Sequence, residues 1–440
     1  MNLRTSQWPP RLLASAAGMM LVLAGTPAAG HAPTSPVVAW VRHNAVPIDT
    51  TDPAAPLGDL KPLRRSAANA TVVGLGESIH GAAEQIQLKH RALRLLVEQM
   101  GFRTVAWEED WTTGLLINDY IRTGKGDLDA IMREMSPQWQ SRQVADVLRW
   151  LRAYNARHAD KVQFFGVEYY LTKAAAYDAI EAYVARTAPH RLAELRSHRR
   201  TVRPSTSSIW EHITKIANAK DKPRYVHHAR QVHALVERLP HRPGDRAHAL
   251  ALHHARQIVS FYVHFTLQGN EAHNHREARA AQNLRWWRNR SRDKVAYWAA
   301  SPHVAAAPNL RLTMQPPEPD MRFASAGSHL RRWYGQRYRP VGFTLDHGTV
   351  STGPGQTLTL RRPAPGWFEQ PFGTVRSDQF VLDLRAPAPP TVRRWLHSPA
   401  TTRGLPNGGP DAIIDGGTLA QWFEVIVHRQ TVTPTHEGSG

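Results

Sequence analysis

The chain has 440 residues, of which 42% are hydrophobic and 21% charged, so it can bury a sizeable core and is not an intrinsically disordered protein. The chain has 55 lysine and arginine residues against 36 aspartate and glutamate residues. The basic residues are spread singly and form no zinc-finger, basic-zipper or RNA-binding motif, so the sequence does not indicate a specific nucleic-acid partner. Cysteine is absent, which excludes disulfides, thiol nucleophiles and cysteine-ligated metal ions.

The N-terminus has the three parts of a secretory signal peptide. Arg4 and Arg11 precede an apolar run over residues 12–25, and small residues at 28–30 offer a cleavage site. The run is shorter than the roughly 20 apolar residues that a transmembrane helix needs. We therefore predict a signal peptide over residues 1–30, a secreted or cell-envelope location, and no membrane span after cleavage.

Strands and helices then alternate in the order that is typical of a parallel α/β sheet. A β-branched run closed by glycines predicts a buried strand over 71–76, and apolar residues at helical spacing predict a helix from Glu84 to Met100. By the same criteria, strands are predicted at 103–107, 162–167, 294–299, 339–344 and 379–383, and helices at 111–123 and 144–158. The predicted fold class is α/β, a mostly parallel sheet flanked by helices.

Strand signals disappear over residues 172–284, which are rich in Ala, Arg and His and have helical periodicity interrupted by prolines. This segment predicts three or four helices inserted into the core as a bundle or lid. A proline-rich loop is expected at 305–322. The predicted organisation in chain order is a signal peptide (1–30), an extended arm (31–66), a hydrolytic core (67–171 and 285–430) that contains the helical insertion (172–284), and a disordered tail (431–440).

Ionisable residues follow three of the predicted strands, at the edge where open parallel sheets bind their ligands. Glu77 and His80 follow the first strand, Glu108 ends the second, and His303 follows the strand at 294–299. Imidazole groups titrate near neutral pH and can act as general bases, and a carboxylate such as Glu108 can orient the ring of His80. We therefore expect two imidazoles and several carboxylates to converge at this edge.

These motifs resemble those of a known family. The segment Glu77-Ser78-Ile79-His80-Gly81, followed by Glu84 and Lys89, resembles the opening motif of the erythromycin esterase family, and so does the stretch from Met100 to Glu108 with Glu109 and Asp110. Looser matches to the same family occur at Glu168, Arg276, Asn283, Trp298, His303, Gly327, Tyr338 and 411–414. The resemblance covers about residues 70 to 425 and is most specific over 74–127.

The resemblance implies an ester hydrolase that acts on a small molecule such as a macrocyclic lactone. The predicted signal peptide adds that it is exported, and the mechanism that we favour needs no metal or other cofactor. It implies that His80 activates water with the help of Glu108, and that His303 or Arg276 stabilises the oxyanion or protonates the leaving group. The implied catalytic residues are His80, Glu108, Glu77 and His303, and the implied substrate-binding residues are Glu84, Lys89, Glu109, Arg276 and Trp298. The usual His-Asn-x-His motif of the family reads Ala300-Ser301-Pro302-His303 here.

Two alternatives remain open from the sequence, which does not indicate an oligomeric state. A metal-dependent hydrolase would use His80 and Glu84, which share a helix face if the helix begins at His80, together with Glu108 and His303. A non-catalytic binding protein is the second, because Ala300 and Ser301 replace the first His and Asn of the family motif. A Ser78 nucleophile is disfavoured, because no Gly-x-Ser-x-Gly elbow surrounds it.

Overall fold

The computed structural model describes residues 35–206, 208–314, 318–405 and 412–437. The predicted signal peptide (1–30), Asp411 and the last three residues of the predicted tail lie outside these ranges. None of the helices in the described ranges has the length and apolar character needed to cross a membrane.

The described residues contain sixteen α-helices and thirteen strands. The helices are α1 (Pro36–Asn44), α2 (Lys61–Ser66), α3 (Ala83–Met100), α4 (Trp111–Thr123), α5 (Leu128–Glu134), α6 (Arg142–Arg157), α7 (Ala174–Thr187), α8 (Leu192–Val202), α9 (Ile209–Ala217), α10 (Lys222–Glu237), α11 (Arg246–His264), α12 (Gly269–Ser291), α13 (Ser301–Val304), α14 (Ala326–Tyr334), α15 (Pro390–His397) and α16 (Leu419–Trp422). The strands are β1 (Val46–Pro47), β2 (Val72–Glu77), β3 (Phe102–Asp110), β4 (Gln163–Glu168), β5 (Lys294–Ala300), β6 (Leu310–Leu312), β7 (Met321–Phe323), β8 (Tyr338–Gly353), β9 (Gln356–Leu360), β10 (Gln379–Asp383), β11 (Thr402–Arg403), β12 (Ile413–Asp415) and β13 (Val425–Val432).

The main sheet has the order β1-β10-β13-β8-β2-β5-β3-β4, and β9 pairs with β8 outside this path. The pairs from β13 to β4 are all parallel, whereas β1, β10 and β9 pair antiparallel. Apolar side chains cover both faces, with Val73 and Val105 packing in the core beside α3 and α6, and Val72 and Ala106 packing in the core beside α12 and α14. The predicted α/β class with a mostly parallel sheet is confirmed.

Capping residues in the sequence set the end of α3 and the start of α4. Helix α3 ends at Gly101, whose φ of 71° is favourable for glycine and whose N–H bonds back to Leu96. Helix α4 begins after Asp110, whose carboxylate accepts hydrogen bonds from the N–H groups of Thr112 and Thr113. Gly101 fixes the turn into β3 at the amino edge of the sheet, and the Asp110 cap fixes the chain where it leaves β3 at the carboxyl edge.

The helical insertion contains six helices, α7 to α12, in its described residues, and not three or four. The prolines used to count helices do not mark all the boundaries, because Pro223 lies inside the first turn of α10, where proline is tolerated. Aspartate side chains cap the starts of two of these helices, Asp221 at α10 and Asp245 at α11. The last insertion helix, α12, runs from the bundle back to the sheet and carries residues of the site.

Three segments that were predicted to lack regular structure are folded, and those predictions were wrong. The arm predicted over 31–66 contains α1 and α2, because Pro36 suits the first position of a helix and Trp40 and Val41 are buried on one side of α1. The loop predicted over 305–322 contributes β6 and β7 to a second, antiparallel sheet of order β11-β12-β6-β7. The predicted tail begins inside β13, and residues 433–437 are hydrogen-bonded to the core.

Candidate active site

The carboxyl ends of β2, β3 and β5 meet at a cavity of about 740 Å³. The loop after β2 supplies His80, β3 supplies Glu108, the start of α13 supplies His303, and α12 supplies Arg276 and Glu277. The remaining walls come from α5 and α6, the second sheet, the β8–β9 hairpin and residues 435–437. The cavity lies at the sheet edge that the strand order predicts.

His80 is oriented by a buried carboxylate below it. Its Nδ1 lies 2.6 Å from Oε1 of Glu77, whose side chain is 1% exposed. An ionised carboxylate can only accept a hydrogen bond, so Nδ1 is the donor in this contact, and the neutral form of the ring then has a lone pair at Nε2. The other oxygen of Glu77 accepts a 2.8 Å hydrogen bond from Nζ of Lys89, which is fully buried. Burial lowers the pKa of Lys89 to about 8, although Glu77 opposes this shift.

The indole of Trp139 holds the His80 ring from a second side. The two ring centroids lie 4.8 Å apart in an edge-to-face arrangement. Nε1 of Trp139 donates a 2.8 Å hydrogen bond to the backbone oxygen of Glu108, and its ring also packs against Trp107. A buried aromatic ring with its N–H satisfied is a rigid support, so the imidazole is held by a hydrogen bond and a ring contact.

His303, across the cavity, lies between two carboxylates. Its Nδ1 is 2.6 Å from Oε1 of Glu277, and its Nε2 is 3.1 Å from Oε1 of Glu108. Burial alone would lower the pKa of His303, but the two carboxylates outweigh it and raise the pKa to about 10. His303 is therefore an imidazolium cation at neutral pH, with both ring N–H groups bonded to anions.

Glu108 connects the two sides of this polar cluster. Its Oε2 accepts a 2.8 Å hydrogen bond from the backbone N–H of Ala300, and its Oε1 is 3.2 Å from Nη2 of Arg276. Burial would raise its pKa, yet His303, His80 and Arg276 hold the pKa well below the usual value. Arg276 also contacts Glu168, whose pKa is raised by burial. The cluster thus holds two carboxylates with lowered pKa values, Glu108 and Glu277, paired with two cations, His303 and Arg276.

The structure brings together the four residues predicted to be catalytic, with a change of partner. His80, Glu108 and His303 line the cavity, and Glu77 lies directly beneath His80. The sequence suggested that Glu108 orients His80, but it is Glu77 that makes this hydrogen bond. Glu77 precedes His80 by only three residues and lies within hydrogen-bond distance of its ring. The carboxylate of Glu108 instead contacts Arg276, His303 and the backbone N–H of Ala300.

Of the five predicted substrate-binding residues, only Arg276 lines the cavity in the described part of the chain. Lys89 and Trp298 are fully buried against each other, with Nζ 4.2 Å from the centre of the indole ring. Glu109 points away and accepts a 2.7 Å hydrogen bond from the N–H of Ser136, and burial raises its pKa to about 8. Glu84 binds the backbone and hydroxyl of Thr433.

The four residues of the metal alternative do not converge. Helix α3 begins at Ala83 and not at His80, and the carboxylate of Glu84 is occupied by Thr433. Across the described ranges, no group of three or more His, Cys, Asp or Glu side chains is placed to hold a metal ion.

Sequence reasoning missed two residues that contact the imidazoles. Glu277 lies beside Arg276 in α12, but nothing in its local sequence indicates that it faces His303, because that contact depends on how α12 packs against the sheet. Trp139 lies in a 3₁₀ turn, Pro137–Trp139, between α5 and α6. A tryptophan between helices is most simply interpreted as core packing, so its contact with His80 was not predicted.

The chain is similar to several known proteins. The family model for erythromycin esterase matches residues 97–427. The erythromycin esterase type II of Escherichia coli is 33% identical over 129 residues, which is 29% of this chain and 30% of that protein, so the alignment spans less than a third of this relative.

Solved structures share the fold over almost the whole chain. A Bacillus cereus protein has a TM-score of 0.78 and 27% identity, covering 92% of this chain and 98% of its own. A protein named as a succinoglycan biosynthesis protein has a TM-score of 0.78 and 26% identity, covering 91% and 98%. A mutant of the erythromycin esterase EreC in its open conformation has a TM-score of 0.66 over 88% and 97%, and at 16% identity this likeness shows the fold alone.

Proposed function

Because the chain belongs to the erythromycin esterase family, we propose that it is an exported esterase that hydrolyses a macrolactone-like ester with water activated by His80. The observation that carries this proposal is the pairing of His80 with Glu77, which leaves Nε2 of the imidazole free at the cavity. Sequence and fold similarity support a hydrolase that resembles erythromycin esterases. The activating group, the substrate and the export are our inferences.

The proposed first step is addition of water to the ester carbonyl. Nε2 of His80 takes a proton from water while the oxygen of that water bonds to the carbonyl carbon, and the carbonyl π electrons move to its oxygen. The ring becomes an imidazolium whose charge is stabilised by Glu77 at 2.6 Å, as the carboxylate of a catalytic triad does. Lys89 donates a 2.8 Å hydrogen bond to the second oxygen of Glu77, which holds this carboxylate in place beneath the ring.

His303 and Arg276 supply positive charge for the developing oxyanion. Both N–H groups of His303 are bonded to Glu277 and Glu108, so its contribution is the Coulombic effect of a fixed cation in a buried site. In the second step the tetrahedral intermediate collapses, the bond to the alkoxide breaks, and the His80 imidazolium returns its proton to the leaving oxygen. Acid and alcohol are released, and His80 is neutral again.

Water is the proposed nucleophile because none of the serines that line the cavity (Ser78, Ser141 and Ser351), nor Ser301 beside it, has a hydroxyl hydrogen-bonded to an imidazole in the described residues. The hydroxyl oxygen of Ser78 accepts a 2.9 Å hydrogen bond from Gln85, and the hydroxyl of Ser301 donates a 3.0 Å hydrogen bond to the backbone oxygen of Gly76. A nucleophilic serine is activated by a hydrogen bond to a neighbouring base such as an imidazole. In the described residues neither Ser78 nor Ser301 has such a bond.

The experiment is hydrolysis of a panel of macrolides and simple aryl esters by the chain without residues 1–30, with mass spectrometry to detect ring-opened product. His80→Ala is the inactive control. A protein that binds a macrolide but hydrolyses no member of the panel would support the binding-protein alternative, which the replacement of the family His by Ala300 favours. Dialysis against a strong chelator before the assay tests our proposal that no metal cofactor is needed.

A further inference from the structure

Residues 433–437, which we call the C-terminal strap, are attached to the loop that carries His80. The N–H of Ala83 donates a 2.9 Å hydrogen bond to the backbone oxygen of Thr433. The carboxylate of Glu84 accepts two hydrogen bonds from Thr433, one from its backbone N–H at 2.7 Å and one from its hydroxyl at 2.8 Å. The start of α3, directly after the loop that carries His80, is therefore joined to the strap by three hydrogen bonds.

The strap also fixes Gly81, the residue that follows His80. The backbone oxygen of Gly81 accepts 3.0 Å hydrogen bonds from the N–H of Thr435 and the N–H of Ser351. Gly81 has a φ of +79°, and a Cβ atom here would lie 2.0 Å from the backbone oxygen of Ser351. Only glycine fits this conformation, so the loop is held tightly between the strap and the β8–β9 hairpin.

The other end of the strap is bound to the start of α6. The N–H of Arg142 donates a 3.0 Å hydrogen bond to the backbone oxygen of His436, whose own N–H donates to the side chain of Gln143 at 3.2 Å. Oε1 of Glu437 accepts a 2.7 Å hydrogen bond from the N–H of Gly355 in the β8–β9 hairpin. Thr435, His436 and Glu437 line the cavity, so the strap forms one of its sides.

We propose that the C-terminal strap is part of the active site, in which it positions His80 through Gly81 and limits the size of the ester that can enter. This proposal rests on the proposed function for the role of His80. The strap lies beyond residue 427, where the family match ends, so this wall can differ among relatives that share the catalytic residues. The strap is thus a positioning and specificity-determining element.

A pair of substitutions at Arg142 isolates one of these hydrogen bonds. Arg142 is the first residue of α6, and Ser141 before it is extended, with φ −131° and ψ 156°. Proline is tolerated at the first helical position after an extended residue. Arg142→Pro and Arg142→Ala both remove the guanidinium, but only the proline variant loses the N–H that binds His436. The difference between the two variants therefore measures attachment of the strap.

Hydrogen exchange provides a readout that does not depend on catalysis. In Arg142→Pro, but not in Arg142→Ala, we expect faster exchange in peptides covering residues 79–85 and 433–437, with the rest of α6 unchanged. The activity of the proline variant is expected to fall about 10-fold in kcat, because small misplacements of a catalytic group are costly. Equal exchange in both variants would overturn the positioning role, even in a protein whose wild type shows no esterase activity.

Removal of the strap tests its role in substrate size. We compare a chain ending after Val432 with a control ending after Glu437, and measure kcat/KM for a small aryl ester and for a bulky macrolactone. The shorter chain should hydrolyse both more slowly, and its preference for the small ester over the bulky one should fall by about 5-fold or more. An unchanged preference would overturn the specificity role. If the shorter chain does not fold, Thr435→Trp tests the same role, because the larger side chain narrows the cavity from the strap. This variant should raise KM for the bulky ester alone. An unchanged KM for the bulky ester would overturn the specificity role.

Discussion

Nδ1 of His303 lies 2.6 Å from Oε1 of Glu277, and this contact separates the roles of the two imidazoles of the site. His303 has a carboxylate at each ring nitrogen and is held as a cation, whereas His80 has a carboxylate at one nitrogen and a free lone pair at the other. One ring can therefore supply fixed charge while the other transfers protons. Such a difference in environment is how two chemically identical groups acquire different functions.

The first prediction concerns the His80–Glu77 pair. His80→Ala should reduce kcat by about 10² to 10⁴, the usual contribution of a general base. Glu77→Gln should lose activity as well, because an amide cannot stabilise the imidazolium and places an N–H₂ group where Lys89 needs an acceptor. The double variant should be little worse than His80→Ala, since residues that act as a unit are not additive. Steady-state kinetics test this prediction, and thermal melts serve as the folding control. If His80→Ala keeps over half of the wild-type turnover, His80 is not part of the mechanism.

The second prediction concerns the charge of His303. Glu277→Gln removes one of the two anions that raise the pKa of His303 to about 10, so this pKa should fall. The cationic form is present below the pKa, and the alkaline limb of the kcat profile should therefore move to lower pH. Glu109→Gln is the matched control, because Glu109 is equally buried at the same sheet edge but binds Ser136. An alkaline limb that stays in place in Glu277→Gln would show that the charge of His303 is not used.

The third prediction concerns acid stability, which several buried histidines should control. Burial lowers the pKa of His90 to about 3, of His428 to about 3 and of His254 to about 4. The unfolded chain takes up these protons at about pH 6.5, before the folded chain does, so their stabilisation is complete above that pH and is lost progressively as the pH falls from 6.5 towards 4 and 3.

A substitution at His90 tests this account. The side chain is buried, and its Nε2 has no hydrogen-bond partner among the described residues, so His90→Leu should be tolerated at neutral pH. The loss of unfolding free energy between pH 7 and pH 5, measured by urea titration, should shrink by about 2 kcal/mol in this variant. His43→Gln, at an exposed position, should leave the loss unchanged. An unaltered pH dependence in His90→Leu would contradict the prediction.

The sequence was sufficient for those parts of the fold and site that depend on local patterns. The glycine-closed strand at 71–76 and the apolar spacing of α3 and α4 depend on patterns of a few residues, and the structure contains these elements within one residue of the predicted bounds. The partners of the site residues were harder to predict, because they depend on long-range packing. Glu277 meets His303 only because α12 returns to the sheet after the bundle, and the strap meets Gly81 from more than 350 positions away in the chain.

The wrong predictions have a related physical cause. A sequence rich in proline, alanine and threonine was interpreted as an extended arm, yet Pro36 begins a helix whose Trp40 is buried and donates from Nε1 to the backbone oxygen of Pro387. The polar residues after Val432 were interpreted as disordered, yet they satisfy backbone groups of the catalytic loop. In both segments tertiary contacts stabilise a conformation that composition alone does not favour.

The last prediction concerns Ala300, where the family motif has a histidine. Ala300 lines the cavity, and its backbone N–H binds Glu108, so a side chain at this position starts beside the polar cluster. Ala300→His should place an imidazole N–H within reach of the oxyanion or the leaving oxygen, and one such donor can contribute about 10² to 10³ in rate. We therefore expect kcat on a macrolactone to rise by at least about 10-fold, with Ala300→Leu as the control for bulk. Ser301 is left unchanged, because its hydroxyl binds the backbone oxygen of Gly76. If the wild type already hydrolyses macrolactones efficiently and Ala300→His is no faster than Ala300→Leu, then His303 and Arg276 supply all the stabilisation that the reaction needs.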